Sequence, residues 1–396
     1  MTAKNGLQPL AGIRVLDLGQ IYSGGYAGFL LAQAGADVVK IEPPRGENLR
    51  NRPKVHGAEY PFLALNINKR SVALDLKTVE GRNRFLDLVA AADVVLENFS
   101  PGVMDRLDIG YSVLEAVNPR VVYASSTGYG LGGRYQDLPA MDLTVQAMVG
   151  VLSVTGFPES PPVKAGVAIA DFMAGVHMYA GIVTALFNRE RVGRGTRIDV
   201  SMFDATLPAT LSSLAMALGT EDENPTRTGN RHGGLAEAPY NVFPSSDGHV
   251  AIICVSEHQW VALAEVMGRP ELAADDRFTS RGSRVENIDA LDEAISAWTS
   301  TRTRDEVVDR LLERGIPVAP VRTLREVVED PDLETRGVLR PLNDAIHGQV
   351  RIISSPIRYD GNESVAPRSA PGLGEHSEEV FEEWLGSRTG VPESVS

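Results

Sequence analysis

Residues 13–42, IRVLDLGQIYSGGYAGFLLAQAGADVVKIE, decide the fold. Ile13-Arg14-Val15-Leu16-Asp17-Leu18 is β-branched and apolar enough for a buried strand. A turn containing Gly19, Gly24 and Gly25 follows, then small and apolar residues at helical spacing through Gln33, closed by Gly35. Asp37 to Glu42 is a second strand, so the stretch is one βαβ unit. Further strands are expected at Val72–Leu76, Ala92–Glu97 and Arg120–Ser125, with an amphipathic helix at Glu80–Ala91. The class is α/β, a Rossmann-like large domain with a parallel sheet.

Downstream, two long apolar helices, Phe172–Arg191 and Ser201–Leu218, flank a strand at Thr196–Val200. Residues 219–237 are polar and Gly-rich, a linker between a large domain spanning 1–218 and a smaller α+β domain spanning 238–322. That domain takes a strand at Gly248–Val255 and helices near Gln259–Met267, Ile288–Ser300 and Arg304–Arg314. Residues 323–396, with a β-rich patch at Val350–Tyr359 and an acidic helix at Glu375–Trp384, return to the large domain.

With 396 residues, 43% apolar and 23% charged, the composition is that of a globular protein. The net charge of −14 opposes non-specific attraction to nucleic acid or an anionic membrane surface. No signal peptide is read at the N-terminus, and a cytoplasmic location is expected. The uncharged segment Phe172–Phe187 has 16 residues, short of the roughly 20 that span a bilayer, and reads as a buried helix with His177 as a core histidine. Cys254 is the single cysteine and sits in an apolar strand, so a buried structural thiol is expected. The scattered histidines show no metal-ligand spacing, and no bound metal is expected.

Three features bear on chemistry. The Gly19–Gly25 turn with Glu42 at a strand end suggests a dinucleotide site, yet lacks the G-x-G-x-x-G spacing; another nucleotide or a merely structural turn both fit. Lys40, Arg45, Arg50, Arg52 and Lys54 form a local basic excess, either a phosphate patch or a solvated face, and Asn68-Lys69-Arg70-Ser71 is a second basic turn. Asp171, between a strand-like run and an apolar helix, is placed at a helix N-cap. It either caps that helix or, held anionic by the dipole, attacks an acyl carbon.

Six collinear segments together resemble the family III CoA-transferases, the group of formyl-CoA transferase, carnitine CoA-transferase and α-methylacyl-CoA racemase: Leu10–Leu18, Gly35–Glu42, Asn68–Ser71, Glu97–Gly102, Gly166–Gly175 and Gly374-Glu375-His376. The resemblance implies an interlocked homodimer acting on acyl-CoA and a carboxylic acid, with CoA carried as substrate and no permanently bound cofactor. It places Asp171 on the catalytic aspartate, which forms an aspartyl-acyl anhydride and then an aspartyl-CoA thioester. It implies CoA contacts at Ile21, Leu74, Asn98, Phe99 and Arg106. Pro43 stands where some members have a basic residue, which shifts a phosphate contact to Arg45. Tyr22 and Asp142 are expected to line the substrate pocket. The racemase branch needs a second acid–base group, and Met141 stands at its histidine position, so transfer is favoured over racemisation. An NAD(P)-dependent oxidoreductase and a non-catalytic CoA-binding protein are the readings from other classes.

Overall fold

A computed structural model describes residues 7–52, 59–219, 227–360 and 365–386. They divide into two compact units. The first comprises residues 1–145, 167–206 and 330–396, the second 146–166 and 207–329. The division thus falls at 206/207 and 329/330, and residues 146–166, placed by the sequence in the large domain, join the second unit.

The first unit is built on six parallel strands: β1 (Arg14–Asp17), β2 (Asp37–Glu42), β3 (Arg70–Ala73), β4 (Val94–Glu97), β5 (Val122–Thr127) and β6 (Thr196–Ser201), in the order β3-β2-β1-β4-β5-β6. Successive side chains point to opposite faces, so Val15 and Leu16 enter different cores. On one face Val15, Val38, Val94 and Val122 pack against Ala27 and Leu31 of the helix Ser23–Gln33 and against Ala170, Ala174, Met178 and Ile182 of the helix Ile169–Val192. On the other, Leu16, Val39, Val72 and Val95 meet Phe85, Leu88 and Val89 of the helix Val79–Ala91 and Val380 and Trp384 of the helix Ser377–Leu385. Both faces are covered, as a parallel sheet requires.

The C-terminal helix is tied down by polar bonds as well. Arg70 donates to Asp37 (2.5 Å), Glu379 (2.9 Å) and Glu383 (2.6 Å), and the Trp384 indole donates to Asp37 (2.9 Å). Just before it, an antiparallel hairpin of Leu339–Asp344 and Gly348–Ile353 belongs to the same unit.

The central helix, Ile169–Val192, has 24 residues and contains an 18-residue window of mean hydropathy 1.4, the length and composition of a membrane span. Its inner face is nonetheless packed on the sheet. The expectation of a wholly buried helix is corrected on its outer face, where Val176 is 44% and Phe187 62% exposed. His177 is exposed there too, with Nδ1 2.8 Å from the Met173 carbonyl, and is no core histidine. The expected helix Ser201–Leu218 is broken into Met202–Thr206, a 3-10 turn at Leu207–Thr210 and Leu211–Gly219. Pro208 has no N–H to continue an α-helical ladder.

The second unit holds an antiparallel sheet of Tyr240–Ser245, Gly248–Ile253 and Val318–Pro320, whose core includes Phe243, Trp260, Phe278 and Leu291. Cys254 lies in that core, 1% exposed.

Candidate active site

The turn after β1 is held from beneath. Asp17 and Lys69 form an ion pair of 2.7 Å with both side chains fully buried, and Lys69 also donates to the Gly25 carbonyl at 3.1 Å. Lys40, 1% exposed, donates to the Gly19 carbonyl at 2.7 Å. A Cβ on Gly19 would lie 2.6 Å from the Gly24 carbonyl carbon, so only glycine lets the chain double back there. Asn98 then fixes the next residue: its Oδ1 accepts from the Gln20 amide (2.7 Å) and its Nδ2 donates to the Gln20 carbonyl (2.9 Å). Ile21 follows in the left-handed region at φ 57°, a strained conformation for a β-branched residue.

Neither sequence alternative for the basic patch describes Lys40 and Arg50, which are internal. Arg50 makes a two-pronged pair with Glu42 at 2.9 and 2.7 Å. Burial would raise the Glu42 carboxyl, but the Arg50 fork, the Lys40 charge and the Ser71 hydroxyl together hold it below the usual range. Arg45 is exposed, and Lys54 lies outside the described residues. The second basic turn is likewise consumed internally, by the pairs Lys69–Asp17 and Arg70–Asp37.

Asp171 is not the N-cap. The cap position of the central helix is Ala168, which makes no side-chain cap bond, and Asp171 is the third residue of the first turn. The cap comes from a residue 29 positions earlier: Oδ1 of Asp142 accepts from the Ala170 amide at 2.9 Å and the Asp171 amide at 3.4 Å. The expectation that Asp171 is simply held anionic is corrected as well. Burial and the neighbouring Asp142 charge push its carboxyl up to about 7, against the pull of Arg52. Such a carboxylate is more basic than an exposed one, yet still substantially ionised at neutral pH.

Asp171 borders a cavity of about 310 Å³ lined also by Gln20, Ile21, Asn98, Phe99, Ser126, Thr127, Gly128 and Met141. Among the described residues, Asp171 is the one titratable side chain in its lining. The structure therefore brings Ile21, Asn98, Phe99 and Asp171 together. Leu74 is not in the lining; it is buried in the sheet core, its amide bonded to the Glu42 carbonyl. Arg106 is exposed beside Gly102, and Arg45 also stands outside the lining. Tyr22 and Asp142 do not line the cavity: Tyr22 stacks on Phe172 at 5.7 Å, and Asp142 backs the helix start.

Sequence reasoning missed Ser126, Thr127 and Gly128. The signal was the strand order: it reverses between β1 and β4, and open parallel sheets bind ligands beyond the carboxyl ends of strands at such a reversal. The loops after β1, β4 and β5 all line this cavity. Among the described residues, no group of three or more His, Cys, Asp or Glu is placed to hold a metal ion.

A sequence model for CoA-transferase family III matches residues 10–377. The chain is 39% identical over 367 residues to acetyl-CoA:oxalate CoA-transferase of Acetobacter aceti, covering 92% of each chain. It is 38% identical over 382 residues to succinyl-CoA:mesaconate CoA-transferase of Haloarcula hispanica, covering 94% of this chain and 95% of the relative. Among solved structures, a CAIB/BAIF family protein from Brucella suis superposes with a TM-score of 0.83 at 34% identity, over 96% of this chain and all of the other. The protein belongs to CoA-transferase family III, as the six collinear segments indicated. It is an enzyme that uses acyl-CoA as substrate.

Proposed function

We propose that the protein moves CoA from an acyl-CoA to a carboxylic acid through covalent intermediates on Asp171. The observation that carries this reading is a carboxylate of raised basicity as the sole titratable lining of the cavity among the described residues. One carboxylate oxygen of Asp171 attacks the thioester carbon of the donor. The C–S bond breaks and CoA leaves as thiolate, giving an aspartyl-acyl anhydride. The thiolate attacks the aspartyl carbonyl and releases the donor acid as carboxylate. The acceptor carboxylate then attacks the resulting aspartyl thioester, and the freed thiolate takes the acceptor acyl group, restoring Asp171. Every step is an acyl transfer, with no net proton, oxidant or water consumed. Transfer is favoured over racemisation, because Met141 lines the cavity and, among the described residues, no histidine does.

The same reading takes the enzyme as an interlocked homodimer. The apolar outer face of the central helix, with Val176 and Phe187 exposed in the single chain, supports burial against a second copy. Light scattering on the purified protein tests this, and a monomer at micromolar concentration would refute it.

The chemistry is tested by brief incubation with acyl-CoAs, hydroxylamine quench and peptide mass spectrometry. A hydroxamate on the peptide containing Asp171, absent from Asp171→Ala, is expected. Near-normal turnover by Asp171→Ala would refute the nucleophile.

A further inference from the structure

Ser23 and Ser126 meet hydroxyl to hydroxyl at 3.0 Å, across 103 positions of sequence. Both are buried, at 1% and 2% exposure. Ser126 lies on β5, where Val122 and Ala124 share a core with Ala170 and Ala174, so strand alternation turns Ser126 to the side of the sheet that carries the central helix. A second contact ties the pair to that helix: a Cβ on Gly175 would meet the Ser23 carbonyl oxygen at 2.8 Å. Gly175 follows Asp171 by one helical turn, so the two share a face. The serine pair thus stands beside Asp171, and of the two it is Ser126 that lines the cavity Asp171 borders.

Two hydroxyls bring two protons, and the bond between them uses one. Among the described residues the other proton meets no acceptor. When Ser23 donates to Ser126, the spare proton is the one at the cavity wall. We propose that the Ser126 hydroxyl donates a hydrogen bond to the carbonyl oxygen of the thioester under attack by Asp171, which makes Ser126 a further catalytic residue of the transfer. The inference rests on the acyl-transfer reading above. As an Asp171 oxygen bonds to the thioester carbon, the π pair of the C=O moves onto its oxygen, and the Ser126 O–H stabilises that charge while keeping its proton. The pair returns as the C–S bond breaks and CoA leaves as thiolate. A fixed, buried donor favours the developing oxyanion over the neutral carbonyl, so its effect falls on rate more than on binding. Ser23 is the positioning residue, holding the Ser126 oxygen and leaving its proton free.

The test takes acetyl-CoA, butyryl-CoA and succinyl-CoA as donors and hydroxylamine as trap, and times CoA release in a single turnover by wild type, Ser126→Ala, Ser126→Cys and Ser126→Thr. With a donor that labels Asp171 in wild type, the alanine and cysteine variants are expected to be about a hundredfold slower at saturation, with the half-saturating concentration within about threefold; Ser126→Thr, which keeps the hydroxyl, recovers about tenfold. The oxygen itself is probed with the dithioester analogue of the same donor, whose C=S sulfur is a weak acceptor. The thioester-to-dithioester rate ratio is expected to fall by about tenfold or more from wild type to Ser126→Ala. If Ser126→Ala does not fold, Ser126→Cys, close to serine in size and a weak donor, carries the same comparison. A variant that slows both analogues alike assigns Ser126 to the cavity wall and overturns the proposal, as does one as fast as wild type. Hydroxylamine capture at Asp171 separates the two readings: capture with an unchanged ratio refutes only the role of Ser126, whereas no capture in wild type with any of the three donors brings down the acyl-transfer reading and this one with it.

Discussion

Asp142 and Asp171 are joined by a hydrogen bond in which one carboxylate oxygen of the first takes the backbone N–H of the second at 3.4 Å, while also taking that of Ala170 at 2.9 Å. One side chain thereby closes the start of the central helix and places a like charge next to the carboxyl proposed to react. Asparagine at 142 keeps an acceptor for the amides and removes the charge. The acid limb of the kcat/KM profile, expected near the Asp171 value of about 7, should move to lower pH by about one unit in Asp142→Asn. Asp142→Ala should in addition cost about 1 kcal/mol of stability. An acid limb unmoved in Asp142→Asn would count against the coupling.

The raised carboxyl of Asp171 also makes stability depend on pH. Its ordinary value is 3.8, so between about pH 4 and 7 the folded chain holds a proton that the unfolded chain has released. Stability from this group is therefore lost as pH rises through that window. Asp171→Asn should match wild type near pH 4 and exceed it by roughly 1–3 kcal/mol at pH 8, while losing transfer activity. Urea titrations at the two pH values check the sign.

Lys69→Met would strand the Asp17 carboxylate, which has no exposed surface. A loss of roughly 3–5 kcal/mol is expected, largely recovered in the double variant with Asp17→Asn, because it is the unpaired charge rather than the missing pair that destabilises. Denaturant unfolding of the three variants measures it.

Gly175 marks where the central helix crosses Ser23–Gln33. A Cβ there would stand 2.8 Å from the Ser23 carbonyl oxygen and 3.2 Å from the Tyr26 Cβ. Gly175→Ala should cost about 1–3 kcal/mol and, by pushing Phe172 from Tyr22, lower kcat/KM. A thermal melt and an assay on the same preparation test both.

Burial pushes the Cys254 thiol up to about 12. In the native protein it should resist a thiol reagent at pH 8, and react fully in denaturant.

The periodic parts of this chain were legible because they answer to local rules. Asp37–Glu42 is a strand with the residues read for it, and the helix at Glu80–Ala91 begins one residue earlier, at Val79. What local rules do not carry is partnership across long separations. Asp171 was recognisable as a carboxylate at a helix start, but that Asp142 makes the cap depends on a loop that brings the two together. Lys40 and Arg50 read as a cationic patch since nothing in their neighbourhood announces that Gly19 and Glu42 absorb them. Ser126 and Thr127 carry no motif, and their place at the cavity follows only from the order of strands in the sheet.

The helix Ser377–Leu385 closes the β3 side of the parallel sheet through Arg70, Asp37 and Trp384. Synthesis runs from the N-terminus, so β1, β2 and β3 leave the ribosome some 300 residues ahead of the helix that covers them, as the separation of 309 between Arg70 and Glu379 shows. The whole second unit is made in the interval. Throughout elongation the growing chain carries a sheet with Leu16, Val39 and Val72 lacking part of their cover until Val380 and Trp384 of the helix Ser377–Leu385 have been made.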